Sequence, residues 1–390
     1  MLIDRRLKEK VLALADKFPV VSITGPRQSG KTTLVKHCFP SFNYVNLELP
    51  HLRIFAQEDP KGFLASYTGG LVLDEAQYAP ELFSYIQGIV DESGETGKFV
   101  LTGSQNFLLL EKISQSLAGR VAILHLLPFS NTELKGTDYQ IDDLNSLLFK
   151  GGYPPLYDKQ IDPGDFYQSY VQSYIERDVR NILNVSSLSL FRTFMGLVAG
   201  RIGQVLNISS ISNDLGLDFG TIRRWLSVLE TSFIIYQVRP HHKNYNKRLI
   251  KSPKLYFYDT GLVCSLLNVR GVADIQKHYL RGALFENFIF SEISKHYYNQ
   301  GINPGLFYWR DNIGNEVDCI IQDGIQKKIL EIKSAQTINS AFFKGIKYYQ
   351  KISEIDASAC YLVYGGNENQ QRSIAQVLSW KNMDDLFKSL

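Results

Sequence analysis

Residues 25–32 read Gly25-Pro26-Arg27-Gln28-Ser29-Gly30-Lys31-Thr32, with Thr33 leading on into a helical pattern. The run follows VVSIT (20–24) directly, and a glycine-rich loop between a strand and a helix is the context in which such loops cradle phosphates. Its glycines let backbone N–H groups wrap an anion while the helix N-terminus faces it. Lys31 is placed to reach β- and γ-phosphates, and Thr32 to ligate Mg²⁺. ATP and Mg²⁺ are therefore the expected cofactors. A glycine-rich turn without a ligand is the alternative, and LVLDE at 71–75 argues against it. Three apolar residues there form a buried strand whose end sets Asp74 near the metal. Glu75, one residue on, is then the expected general base for an attacking water.

Working outward, Phe99–Gly103 reads as a strand inserted beside the loop strand. Either Thr102 or Ser104 at its end serves as a polar sensor, or the hydroxyl caps the next helix. Arg120 closes SQSLAGR just before a fifth strand. It is read either as a group reaching the nucleotide of a neighbouring copy in a homo-oligomer, or as a surface salt-bridged arginine. The β-rich runs VVSIT, YVNLE (44–48), LVLD (71–74), FVLTG (99–103) and VAILHLL (121–127) alternate with helical stretches. Parallel pairing through right-handed crossovers, hence an α/β doubly wound sheet over 1–130, is the expectation.

A chain of 390 residues holds two or three domains, and 44% hydrophobic with 21% charged residues excludes a disordered one. The net charge of +3 is too small to argue for nucleic acid by itself. Cys38, Cys264, Cys319 and Cys360 show no CxxC pair and read as reduced core residues. No apolar run approaches the ~20 residues that span a bilayer. At the start, Leu7, Val11, Leu14 and Phe18 recur at helical spacing, so a cytoplasmic protein without a membrane partner is expected.

Residues 131–163 are rich in Pro, Gly, Asp and Asn and read as a linker with one short helix near Ile141–Lys150. A helical stretch follows at 164–253, with Phe166, Tyr170 and Tyr174 as a core stripe and 176–180 (ERDVR) as a solvated face. Asn207 caps one short helix, Gly216 marks a turn, and Thr221–Glu230 makes a second helix with Ile222, Trp225, Leu226 and Leu229 inward. Arg223 and Arg224 face away. Two β-rich runs joined by a basic loop complete a winged-helix pattern. Lys243, Lys247, Arg248, Lys251 and Lys254 lie in a stretch with no acidic residue. DNA contact through Arg223, Arg224 and this wing is one use of such a module, and docking a protein partner is the other.

In 254–390, Leu280–Ile293 is expected to be helical and to carry Glu286 amid apolar neighbours. Asp323-Gly324 predicts a two-residue hairpin turn. Its register pairs Glu316 with Glu331 and puts Glu316, Asp318, Glu331 and Lys333 on one face. Asp318 and Glu331 could then hold a hydrated Mg²⁺, with Lys333 near the attacking water. A solvent-facing charged hairpin is the bland alternative.

Over nearly its full length the chain resembles bacterial and archaeal AAA-type ATPases of the ASCE class, which carry a C-terminal region of unassigned function. The residues that carry the likeness are GPRQSGKTTL, YVNLE, LVLDEAQ, LTGSQ, SLAGR, YIERDV, YFYDTGL, ALFENF, YWR, EVD and EIK. The resemblance implies a winged-helix module followed by an α/β restriction-endonuclease-like, PD-(D/E)xK domain. Glu286, Asp318, Glu331 and Lys333 would form its site, either as a metal-dependent nuclease or as a relic of one. Glu48 departs from the Asp usual at the end of that strand.

Overall fold

The computed structural model describes residues 3–104, 113, 115–175, 187–242 and 252–390. By compactness the chain forms two units. The first holds residues 1–129 with the stretches 231–233 and 297–302, and the second holds 130–230, 234–296 and 303–390.

The first unit is built on β1 (Val20–Thr24), β2 (Asn43–Asn46), β3 (Leu71–Asp74), β4 (Phe99–Gly103) and β5 (Val121–His125). They run β2-β3-β4-β1-β5, and every pairing is parallel. β4 is thus inserted between the loop strand and β3, as expected. Successive side chains point to opposite faces, which here means two cores. Leu71, Leu73, Phe99 and Leu101 pack with Phe83 and Ile86 on one side. Val21, Ile23, Val72 and Val100 pack with Leu7, Val11, Leu34 and Val35 on the other. All five residues of β1 are buried, as a central parallel strand covered on both faces requires.

The second unit holds β6 (Ile235–Pro240), β7 (Lys254–Phe257), β8 (Leu306–Arg310), β9 (Glu316–Asp323), β10 (Gln326–Lys333), β11 (Cys360–Tyr364), β12 (Gln370–Gln371) and β13 (Gln376–Ser379). They form one mixed sheet in the order β12-β13-β11-β10-β9-β8-β6-β7. The boundary expected at 253/254 therefore falls between two strands of a single sheet, because β6 pairs with both β7 and β8.

The stretch 131–163 is not a linker. It contains helices Asn131–Leu134, Leu144–Lys150 and Pro155–Asp158, with Leu147, Leu148, Tyr153, Leu156 and Tyr157 buried. The polar residues that suggested a loop are helix starters. Ser130 and Glu133 form a reciprocal capping box, and Asp143 and Asp162 accept hydrogen bonds from the first turns of their helices. Before β6 come helices Leu188–Ala199, Ile208–Leu215 and Phe219–Thr231. Asn207 caps the second through the Ser210 N–H, and Gly216 ends it. Ile222, Trp225, Leu226 and Leu229 are buried, and Arg223 and Arg224 are exposed. Val205 bridges to Lys254, which adds a short third segment on the outer side of β7. Phe166 and Tyr170 are buried, whereas 176–180 lie outside the described residues. Among the described residues, no helix is long and apolar enough to cross a membrane.

Candidate functional site

Loop 25–32 leaves β1 with backbone that ordinary side chains disfavour. Gly25 has φ +150°, and a Cβ there would lie 2.2 Å from the Leu126 carbonyl oxygen. Gln28 and Gly30 also have positive φ, which turns successive N–H groups toward the start of helix Lys31–Cys38. Arg5 straps the loop from behind. It donates to the carbonyls of Ser29 (2.7 Å) and Leu127 (2.6 Å) and stacks on Phe129. The Lys31 amine lies over the loop, donating to the carbonyls of Gly25 (3.0 Å) and Pro26 (2.8 Å). Arg27 is buried, 4.0 Å from Glu48, and Glu48 thereby gains a partner on the loop itself. Thr33 is exposed.

Three hydroxyls converge on Asp74. Thr32 donates to Oδ2 at 2.7 Å and Tyr44 to the same oxygen at 2.5 Å, while Thr102 donates to Oδ1. Burial, then the adjacent carboxylate, hold the Tyr44 phenol above its ordinary range, so it remains a donor. Glu75 stands in the left-handed region, φ 55° and ψ 47°, a costly conformation for a non-glycine residue and one that clusters at functional sites. Its Oε2 accepts from the Ser104 N–H (3.2 Å), the Ser104 hydroxyl (3.0 Å) and the Gln77 amide (2.6 Å). The end of β4 therefore serves both acids, Thr102 holding Asp74 and Ser104 holding Glu75.

Arg120 forms a two-pronged pair with Asp91, at 2.5 and 2.8 Å. It precedes β5, whereas the loop follows β1. Because these strands are parallel and paired from Val20↔Val121, Arg120 lies at the opposite end of the strands from its own chain's loop.

Fold and loop together define a P-loop nucleotide-binding domain. Residues 17–135 match the family described as AAA domain, which makes the first unit an AAA-type, ATPase-like domain. Residues 141–273 and 281–383 match two families each described as a domain of unknown function (DUF8612 and DUF4143). Uncharacterized proteins of Mycobacterium tuberculosis and Mycobacterium bovis are each 29% identical over 348 residues, covering 86% of this chain and 75% of theirs. An uncharacterized protein of Haemophilus influenzae is 25% identical, covering 89% of this chain and 94% of its own. Among solved structures, a Walker-type ATPase of Pyrococcus abyssi superposes with a TM-score of 0.49 at 16% identity, covering 69% of this chain and 96% of that one. AMPPCP-bound DnaA from Aquifex aeolicus gives 0.31 at 14% identity, covering 57% and 85%.

A second polar cluster lies in the second unit. Strands β9 and β10 turn at Gly324-Ile325, not at Asp323-Gly324, so Asp323 pairs with Gln326 and Leu330 with Cys319. The slip is two residues. Parity is kept, so Glu316, Asp318, Glu331 and Lys333 do share a face. The expected Glu316–Glu331 opposition does not occur, since continuing the register sets Glu331 across from Asp318. Lys333 lies 2.6 Å from Asp318 and 2.7 Å from Glu331. Helix Arg281–Asn299 brings in Glu286, but its partners are Lys254 (3.4 Å) and the Tyr256 hydroxyl (2.5 Å). Lys254 also lies 2.5 Å from Glu316.

Lys254 is therefore not part of a phosphate-facing wing. It is buried among acids, because β7 turns it toward β9 and the 281–299 helix. Lys243, Lys247, Arg248 and Lys251 fall outside the described residues. For Asp318, burial is outweighed by the charge and hydrogen bond of Lys333, which hold its carboxyl below the usual range. Burial, then the charge of Asp318, push Glu331 up to about 9. Burial also raises Glu286.

Tyr44, Gln77, Arg5, Lys254 and Tyr256 were not singled out for these roles by sequence. A signal existed for Tyr44, since Tyr44 and Asn46 alternate on one side of β2, next to the strand that ends in Asp74. For Arg5 and Lys254 there was none, because both act across more than twenty positions of sequence.

Proposed function

We propose that this chain hydrolyses ATP at loop 25–32 and uses the nucleotide cycle to control DNA engagement by its second unit. The observation that carries the hydrolytic part is the paired arrangement of Asp74 and Glu75. One carboxylate is bonded to Thr32 of the loop, and the next is held apart by Ser104 and Gln77. Thr32 and Asp74 are hard oxygen donors that fit Mg²⁺, which when bound would neutralise charge between the β- and γ-phosphates. Lys31 can leave the loop carbonyls for phosphate oxygens. Glu75 can then take the proton from the attacking water, with Ser104 fixing its orientation.

Measuring ATP affinity and turnover in Glu75→Gln and Lys31→Ala tests this. Glu75→Gln should keep ATP affinity while turnover falls roughly 10²–10⁴-fold, the usual contribution of a general base. Lys31→Ala should lose affinity. Turnover unchanged in Glu75→Gln would reject the assignment.

DNA engagement is supported by three helices followed by the β6–β7 pair, with the 205 segment beside them as in a winged helix. Arg223 and Ser227 face a groove of about 710 Å³ bordered by Asn207, Phe219 and Pro253. A nucleotide-dependent switch that docks a protein partner through the same face is the alternative. A nuclease-like fold for the C-terminal part is supported by the order helix 281–299, β8, β9, β10, helix Lys344–Ser353 and β11. For Arg120, an oligomeric role would require exchanging Asp91 for a neighbouring copy's nucleotide. Four free cysteines suit a reducing, cytoplasmic setting.

A further inference from the structure

The C-terminal acids do not fit a divalent metal. Among the described residues, no group of three or more His, Cys, Asp or Glu side chains stands close enough to share an ion. Two of these acids are already bridged by a lysine. The Lys333 ammonium lies within 2.7 Å of both Asp318 and Glu331, the two oxygen donors a hydrated Mg²⁺ would have spanned. Asp318 Oδ2 also accepts the Ile332 N–H at 2.8 Å. The other oxygen of Glu331 is turned to helix Lys344–Ser353, so close that a Cβ on Gly345 would lie 2.0 Å from it. It points at the first turn of that helix, whose N–H groups lack partners within the helix. Glu286 is aimed elsewhere, at Lys254 and Tyr256.

We propose that Lys254 is the resident cation of this cluster, joining Glu286 to Glu316 while Lys333 joins Asp318 to Glu331, and that the cluster binds no divalent metal. This deepens the nuclease-like reading of the C-terminal fold and rests on it, by naming what sits where a metal would act. Two ammonium groups are enclosed with four carboxyl groups, and Lys254 itself is buried. A buried ammonium between two carboxylates is strongly held, because removing it leaves uncompensated charge in a low-dielectric site. A metal spanning Asp318 and Glu331 would have to displace the Lys333 ammonium and also turn Glu331 from the helix. On this basis the C-terminal fold serves as a binding or structural body that does not cut by metal-assisted hydrolysis.

The test is a Mn²⁺ titration followed by electron paramagnetic resonance on the nucleotide-free full chain, comparing wild type, Asp318→Asn, Lys254→Met and Lys254→Met/Glu286→Gln. Wild type should bind no Mn²⁺ that Asp318→Asn removes. Lys254→Met should unfold roughly 10 °C lower, and the double variant should recover most of that loss. Wild-type Mn²⁺ binding abolished by Asp318→Asn would overturn the proposal, as would Lys254→Met unfolding like wild type with no coupling to Glu286. If Lys254→Met fails to fold, the comparison of wild type with Asp318→Asn still decides. Because nucleotide is absent and the readout is Asp318-dependent, failure here is separate from failure of Glu75 as the base in ATP turnover.

Discussion

His125 ends β5 with its Nδ1 2.7 Å from the Thr24 hydroxyl, one residue before Gly25. Phe233 and Tyr298 pack on its ring. Burial pushes its pKa down to about 4, well below the usual 6.5 of a histidine. The folded state therefore resists a proton that the unfolded chain takes up below pH 6.5. Stability is full above that value and falls as pH drops toward 4, by about 3 kcal/mol over the window. Unfolding measured against pH should show this loss in wild type and a flatter profile in His125→Gln. Identical slopes would exclude His125 as the cause. At the same scale, the sequence offered Thr102 or Ser104 as a sensor but could not say which acid each would serve. Tyr44, Thr102 and Ser104 act as single donors to Asp74 and Glu75, and a hydroxyl's role depends on which acid it meets.

At the scale of elements, the loop and its strand were legible because their chemistry is local. A positive φ, a short strand and a helix start are set by neighbours in sequence. Helix Lys344–Ser353 shows what is not. Its first turn lies against β9 and β10 at Gly345, where a Cβ would meet the Glu331 carboxyl and, at 2.3 Å, the Glu316 carbonyl oxygen. The backbone cannot yield as a side chain would, so Gly345→Ala should destabilise the second unit by about 1–3 kcal/mol. Thermal unfolding should report that loss while ATP turnover at low temperature stays unchanged; an unaltered unfolding temperature would rule the close approach out. The β9–β10 turn teaches a related lesson. Asp323-Gly324 is a good turn dipeptide, yet Gly324-Ile325 makes the turn, and Ile325 is left almost wholly exposed. Burial of Ile320, Ile329 and Leu330 fixes only which face each residue takes, and both registers satisfy it, so the turn dipeptide alone did not decide the pairing.

For the whole molecule, the proposed coupling is between ATP turnover and DNA held near Arg223 and Arg224. Both side chains are exposed on helix Phe219–Thr231, with Arg224 bonded to Thr221 at 3.0 Å. DNA affinity should fall steeply with salt, and Arg223→Ala or Arg224→Ala should each reduce the slope by about 1 if it contacts a phosphate. ATP turnover should rise when DNA is added. A flat salt dependence together with unstimulated turnover would favour protein docking.

The sequence by itself determined the P-loop domain: GPRQSGKT after an apolar run, LVLDE further on, and strands alternating with helices. Those signals are short-range, and the chemistry of phosphate binding leaves few residue choices. It also placed three acids and a lysine on one face of a hairpin, because the two-residue period of a strand survives a slip of two. Only the tertiary structure decided which charges meet. Lys254 looked like part of a basic loop until β7 carried it to Glu286 and Glu316, and a stretch rich in turn residues proved to start helices. Charge pairing acts over a few ångströms in space with no constraint along the chain, so composition could count these groups but not assign their partners.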